Sequence, residues 1–170
     1  MRGCGSVLHR RHRGTVRRAV ASGVAVAVAG VLTGCGSGKS SSTETAVKPA
    51  LQVTGAYMPA PVTDDMAAGF FVVRNSGGAD TLLSVTSDLA KDVTMHSTQG
   101  GVMTEEKSFA VPADGTLDFA RGGSHLMFEQ LRHKPKQGEK VAVRLHFRKT
   151  GEVDVQLPVK PATYNPKTGN

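Results

Sequence analysis

Hydrophobic and polar residues alternate along short segments of the chain between residues 51 and 159. Such alternation is typical of β-strands with one face on a core, because successive side chains of a strand point to opposite faces. Glycine, proline, asparagine and aspartate lie between these segments, and no long stretch has the period of an amphipathic helix. The pattern predicts eight or nine short strands in a two-sheet β-sandwich, at 51–57, 69–75, 81–87, 92–97, 108–111, 116–120, 124–130, 140–148 and 152–159.

One predicted strand segment, Ser124–Phe128, carries a histidine and a methionine next to two apolar residues. If the segment is extended, Leu126 and Phe128 lie on the core face, and His125 and Met127 lie together on the opposite face. Imidazole and thioether groups suit Cu(I) better than they suit hard cations. The alternative is a surface histidine beside a methionine that covers the edge of the core, and the segment alone leaves both interpretations open.

A second histidine, His96, is predicted to point away from the core in the same way. Its neighbour Met95 shares a face with Val93, so both of these are expected to fill the core. The glycine-containing stretch 97–101 that follows can turn the chain back and bring Met103 over His96. The alternative for Met103 is a hydrophobic residue that anchors the loop.

The two remaining histidines of this region have cationic neighbours. His133 lies between Arg132 and Lys134, and alternation places His146 on the same face as Arg144. Because positive charges repel an added metal ion, both histidines are interpreted as surface residues outside the site. An early loop contains two further methionines, Met58 and Met66. The sequence leaves open whether either of them folds over the metal site.

The first 34 residues have the pattern of a bacterial secretory signal. Six arginines precede residue 19, and the apolar run Ala19–Leu32 is too short for a permanent transmembrane helix. The run ends in Leu32-Thr33-Gly34-Cys35, which resembles a lipobox, whose cysteine is lipidated and becomes the mature N-terminus. The prediction is therefore a lipoprotein signal peptide at 1–34 with Sec export and lipidated Cys35. The alternative is an uncleaved anchor or an ordinary cleavage site.

Positive charge is concentrated in that leader. The whole chain has a net charge of +7, but without the six arginines it has fifteen basic and fourteen acidic residues. A nearly neutral mature protein lacks the basic surface expected of a nucleic-acid binder, so no nucleic-acid partner is expected. Both cysteines, Cys4 and Cys35, precede the predicted domain, so a soft-metal site there has to be built from histidine and methionine.

Composition divides the remainder of the chain into three parts. Residues 35–50 contain the lipidated cysteine and a stretch rich in glycine, serine, threonine and lysine, which predicts a flexible tether. Residues 51–160 form the predicted β-sandwich domain, and residues 161–170 are a polar tail.

The candidate metal ligands of the domain are His96, Met103, His125 and Met127. Two imidazoles and two thioethers supply soft or borderline neutral ligands to Cu(I), and the absence of carboxylate and thiolate makes the set poor for zinc, calcium or magnesium. Neutral ligands leave the bound site positively charged, which favours a shallow, exchangeable site near solvent. No nucleophile–base pair or paired carboxylates are found, so an enzyme is not expected.

These residues resemble the PCuAC family of extracytoplasmic copper chaperones. The family pattern is a histidine on one strand, a methionine after a Gly-Val-Met turn, and His-x-Met after Gly-Gly. Here His96, Gly101-Val102-Met103 and the segment 122–127 follow that order, and the 21 residues between Met103 and His125 match the family spacing.

The resemblance departs from the family in one place. Only six residues separate His96 from Met103, where the family usually has ten, and Glu105 stands where a second methionine is often found. Either Met103 is the ligand in a shortened loop or this ligand is lost. The first alternative is preferred because the spacing to His-x-Met is kept.

The resemblance implies a cupredoxin-like Greek-key β-sandwich that binds Cu(I) and passes it to a recipient. For this family the recipient is typically the copper-site subunit of cytochrome c oxidase, sometimes with a thiol-based copper chaperone as a co-worker. With the lipid anchor, the expected location is the outer face of the bacterial cytoplasmic membrane, and a monomer is expected. The alternatives are a copper storage or uptake lipoprotein and a structural β-sandwich without metal.

Overall fold

The computed structural model describes residues 47–167, and every regular element in that range is a β-strand. The strands are β1 (Leu51–Pro59), β2 (Met66–Asn75), β3 (Asp80–Thr86), β4 (Ala90–Gln99), β5 (Val102–Glu105), β6 (Phe109–Val111), β7 (Thr116–Phe119), β8 (His125–Leu131), β9 (Lys140–Phe147) and β10 (Gly151–Lys160). The predicted all-β fold is confirmed. The described range has ten strands because the predicted glycine-rich turn continues into β5.

Nine of these strands form one hydrogen-bonded path in the order β5-β4-β8-β2-β1-β10-β9-β3-β6, and β7 pairs with β2 beside β8. Neighbours along the path are antiparallel except for a short parallel contact between β1 and β10, where Met58 pairs with Val159. The path folds over on itself, since the ring of Phe109 on β6 lies 4.9 Å from that of Phe119 on β7. The result is a two-layered sandwich around one core.

The core is formed by alternate residues of the strands, as the sequence pattern predicts. On β9 the residues Val141, Val143, Leu145 and Phe147 are all buried, and the residues between them are not. Each large apolar side chain buried in this way stabilises the fold by roughly 1.5–3 kcal/mol. Leu126 and Phe128 of β8 are completely buried, and Met95 of β4 is 5% exposed, so the opposite faces of β8 and β4 carry the two outward histidines.

A tight turn links β4 to β5. Gly100 and Gly101 have φ values of +58° and +81°, the left-handed conformation that two-residue hairpin turns with the twist of a β-sheet require. No atom would obstruct a Cβ at either position, so the backbone conformation explains these glycines. The turn sets the register that places Met103 opposite Thr98.

The chain enters the domain alongside the β2–β3 turn. The side-chain oxygen of Asn75 accepts hydrogen bonds from the backbone of Ala50 and Gly77, at 3.0 and 3.1 Å. The backbone N–H of Gly78 donates to the Lys48 carbonyl at 3.0 Å. A Cβ on Gly77 would collide with the same Lys48 carbonyl. The segment just before β1 is therefore attached to the domain at this turn.

The predicted signal peptide, Cys35 and most of the predicted tether lie outside the described residues, as do the last three residues of the tail. Between residues 47 and 167, no helix is long and apolar enough to cross a membrane.

A buried carboxylate joins β3 to the β9–β10 turn. The Asp80 side chain accepts hydrogen bonds from the Thr150 hydroxyl at 2.6 Å and from the backbone N–H groups of Thr150 and Lys149, both at 2.9 Å. Burial by itself raises the pKa of Asp80, but these bonds and one from the Thr81 backbone outweigh it, so the pKa lies below its ordinary value.

Replacing this carboxylate with the Asp80→Asn change is expected to destabilise the domain by about 1–3 kcal/mol near neutral pH, because the amide cannot accept the same charge-assisted bonds. A lowered folded-state pKa means that the carboxylate stabilises the fold above its unfolded pKa of about 3.9 and that this contribution disappears as the pH falls through the lower folded value. Urea unfolding of both proteins at several pH values measures the difference, which should shrink below about pH 4.

Asp154→Asn is the control, because Asp154 forms an exposed ion pair with Arg144 at 2.8 Å and such pairs contribute little. A constant difference between Asp80→Asn and wild type at every pH would contradict this account of Asp80.

Candidate metal centre

Two imidazoles face each other across the β4–β8 pair. His96 is the direct partner of His125 in the antiparallel register, and the rings stack with their centroids 5.6 Å apart and their planes 16° apart. Met127 lies two positions further along β8 on the same face, opposite Thr94 of β4 and Ala68 of β2. The register thus brings three of the four predicted ligands to adjacent positions on one surface.

Met103 lies on the same surface, across the other edge of β4. It pairs with Thr98, two residues beyond His96, and is therefore the diagonal neighbour of His96. Its side chain is 49% exposed. Glu105 is the direct partner of His96 in this hairpin, so the position nearest to His96 on β5 carries a carboxylate and the thioether is one diagonal step away.

Each histidine has one ring nitrogen held by the protein and one left over. Nδ1 of His125 lies 3.1 Å from the Gly123 carbonyl. A carbonyl only accepts, so Nδ1 carries the proton and Nε2 offers its lone pair. Nε2 of His96 lies 2.9 Å from the Thr94 hydroxyl, and its Nδ1 is buried with no hydrogen-bond partner. An unsatisfied buried nitrogen is costly, and a metal ion would satisfy it.

A cavity of about 350 Å³ opens beside this surface. His125, Met127, Met66 and Phe70 line it, together with Arg121, Ala162 and the loop from Pro59 to Val62. Sequence reasoning missed Phe70 and Arg121, although Met66, Ala68 and Phe70 follow the same alternation that identified His125. The alternation along β2 can be seen in the sequence. Only the pairing of β2 with β8, however, shows that this face of β2 lies next to the histidines.

The rim of the cavity is held by aromatic and cationic contacts. Arg121 lies over the Phe70 ring, 6.0 Å from its centroid, and donates a hydrogen bond to the Ala162 carbonyl at 3.0 Å. Tyr57 stacks on Phe70 at 5.1 Å and meets Tyr164 edge to face at 5.0 Å. Burial raises the pKa of Tyr57 against the lowering effect of Arg121. The start of the predicted polar tail therefore packs against the domain and borders the cavity.

The other candidates lie elsewhere. Met58 is completely buried in the core and does not fold over the site. His133 is an exposed side chain 3.7 Å from Glu139, and His146 contacts the Thr86 hydroxyl at 3.0 Å. Among residues 47–167, no group of three or more histidine, cysteine, aspartate or glutamate side chains is arranged to hold a metal ion. A metal site on this surface therefore depends on the thioethers.

Solved structures with a similar fold include PCuAC domains. The chain superposes on the apo PCuAC domain of PmoF2 with a TM-score of 0.60 and 24% identity, covering 69% of this chain and 97% of that domain. It superposes on the Cu(I) form of DR1885 from Deinococcus radiodurans with a TM-score of 0.56 and 25% identity, covering 64% of this chain and 77% of that one. These likenesses confirm the predicted cupredoxin-like sandwich and the resemblance to the PCuAC family.

Sequence relatives define the family more narrowly. The family model described as "Putative lipoprotein LpqE-like" matches residues 51–159. The curated "Putative lipoprotein Lxx21020" of Leifsonia xyli subsp. xyli is 36% identical over 154 residues, which cover 86% of this chain and 92% of the relative. The chain belongs to the LpqE-like family of lipoproteins.

The hydrogen bond of His125 predicts its tautomer in the metal-free protein. His125 should carry its proton on Nδ1, because the Gly123 carbonyl can only accept, and the exposed His133 side chain serves as the reference. Long-range ¹⁵N–¹H correlation spectra of the ring nitrogens distinguish the two tautomers directly. Finding His125 protonated on Nε2 would contradict the assignment of that nitrogen as the free one.

Proposed function

We propose that the protein binds Cu(I) through His96, Met103, His125 and Met127 and passes the ion to a recipient outside the cytoplasmic membrane. The observation that supports this most strongly is the pair of facing imidazoles, each with a nitrogen free, on a surface that also carries two methionines. This donor set suits a soft monovalent ion. The Cu(I) form of the Deinococcus radiodurans protein, which has the same fold, supports the same ion.

The exposure of the ligands favours release as well as binding. Met103 is half-exposed on β5, which lies at one end of the strand path, so its thioether can leave the ion without disturbing the core. A thiolate or imidazole of the recipient can then bind the ion, and the ligands of this protein are exchanged one at a time. The four neutral ligands do not compensate the charge of the ion, which favours its release, and the Arg121 guanidinium on one side and the Glu105 carboxylate beside His96 act in opposite directions.

The recipient we propose is the copper-site subunit of cytochrome c oxidase, and a thiol-based copper chaperone is the second proposed partner. A lipid on Cys35 would hold the domain at the membrane that contains such an acceptor. The chain between Cys35 and Val47 spans at most about 40 Å when extended, so the anchor raises the local concentration of the domain near a membrane protein.

Removing two ligands tests the metal site. The double variant His125→Ala, Met127→Leu is expected to weaken Cu(I) binding at least about a hundredfold, which corresponds to about 2.7 kcal/mol, in a competition titration against a Cu(I) chelator. His146→Ala is the matched control, because that imidazole contacts Thr86 on a different surface and should leave the affinity unchanged. The Cu(I)-loaded wild type should also metallate a copper-free oxidase domain, and the double variant should not.

Two different outcomes of this experiment would contradict the proposed function. Wild-type affinity in the double variant would indicate a structural sandwich with accidental histidines and methionines. Tight binding without transfer to the oxidase domain would overturn the carrier role and favour storage or uptake.

A second test addresses the anchor. Because a diacylated cysteine at the mature N-terminus holds the protein to the membrane, Cys35→Ser is expected to move the full chain from the membrane fraction to the soluble fraction of cells. Cys4→Ser should have no effect, because position 4 belongs to the predicted signal peptide. Membrane association that persists in Cys35→Ser would contradict the proposed lipid anchor.

A further inference from the structure

A third methionine lies on the surface that carries the candidate ligands. Met66 is the first residue of β2, where it pairs with Glu129, and Ala68 pairs with Met127. Alternation along β2 therefore places Met66 on the same face as Met127, as its diagonal neighbour. Diagonal neighbours have Cβ atoms within roughly 7–8 Å of each other, and long side chains reach across that distance.

The space between these two methionines is open. Ala68, the residue directly across from Met127, contributes only a methyl group. Met66, Met127 and His125 all line the same cavity of about 350 Å³. The Met66 thioether therefore borders the same open volume as the sulfur of Met127 and the imidazole of His125.

Exposure separates Met66 from the methionines that serve the core. Met58 and Met95 are 0% and 5% exposed, whereas Met66 is 45% exposed, close to the 49% of Met103. The loop before Met66 is held by the Lys134 ammonium, which lies 3.0 Å from the Asp64 carboxylate and donates to the Val62 carbonyl at 2.9 Å. The backbone near Met66 is thus anchored although its side chain is not packed into the core.

We propose that Met66 is a further Cu(I) ligand, which binds together with His125 and Met127 on the side of that pair away from Met103. This inference rests on the proposed function. The Met103 thioether of the β4–β5 hairpin and the Met66 thioether at the start of β2 then lie on opposite sides of His125 and Met127. These two ligands bind the ion with either thioether. When the Met103 sulfur leaves the ion, the Met66 sulfur forms a bond to it as the Met103 bond breaks. The incoming ligand then replaces Met66 in the same way, so that one bond forms for each bond that breaks. Copper stays Cu(I), and no proton or electron moves.

The proposal gives a role to a departure from the family pattern. The short His96–Met103 interval confines Met103 to the edge hairpin, opposite Thr98, while Glu105 occupies the place beside His96. Met66 supplies a second mobile thioether from a different strand. The ion then keeps at least three soft or borderline ligands during exchange, a set suited to Cu(I).

The test compares Met66→Leu, Met103→Leu and the double variant in the full-length mature protein. Leucine keeps the volume of methionine and removes the sulfur. X-ray absorption of the Cu(I)-loaded proteins should count two sulfur ligands in Met103→Leu and one in the double variant. In a chelator competition, adding Met66→Leu to Met103→Leu should weaken Cu(I) binding by about tenfold, which corresponds to about 1.4 kcal/mol, because one copper–sulfur bond is lost.

Met95→Leu is the control, because Met95 is buried on the opposite face of β4 and should change neither the sulfur count nor the affinity. One sulfur in Met103→Leu, unchanged in the double variant, overturns the proposal. A fall in affinity without a change in sulfur count assigns Met66 a packing role and also overturns it. A failure of the proposed function would give a different result. Either the wild type would not bind Cu(I), or the double variant at His125 and Met127 would keep the wild-type affinity.

Discussion

The antiparallel register between β4 and β8 is the constraint on which the candidate site depends. It pairs His96 with His125 and Met95 with Leu126, so the same ladder that puts two apolar residues into the core puts two imidazoles together outside it. A slip of one residue would turn either strand over, burying a histidine and exposing a core side chain. Selection for a packed core and for the site therefore act on the same hydrogen bonds.

The alternation of residues made much of the fold predictable, because most strands have one buried and one solvated face. β5 was not predicted, because all four of its residues are exposed and a strand without a buried face has no periodic hydrophobic pattern. The outward orientation of His96 and His125 could be predicted from the same alternation along β4 and β8. The neighbourhood of Met66 and Met127 was not, since it depends on β2 pairing with β8, a contact between segments about sixty residues apart in the sequence.

Two buried polar side chains show the same limit of local reasoning. Asn75 and Asp80 lie within or beside predicted strands, and nothing in their immediate sequence indicates burial. Each is stabilised by backbone groups that come from distant parts of the chain, such as the Pro112 carbonyl for Asn75 and the Lys149 amide for Asp80. Such groups connect segments across the sandwich, and their partners are known only once the strands are arranged.

The hydrogen bonds of Asn75 also determine where residues 47–50 lie relative to the candidate ligands. Asn75 ends β2, whereas Phe70, whose ring lies 6.5 Å from that of His125, is five residues earlier, or roughly 16 Å along an extended strand. The segment just before β1 therefore contacts the domain at a point displaced from the ligand-bearing surface. Residues 47–50 do not cover the candidate ligands, so a recipient can approach the histidine face without meeting them.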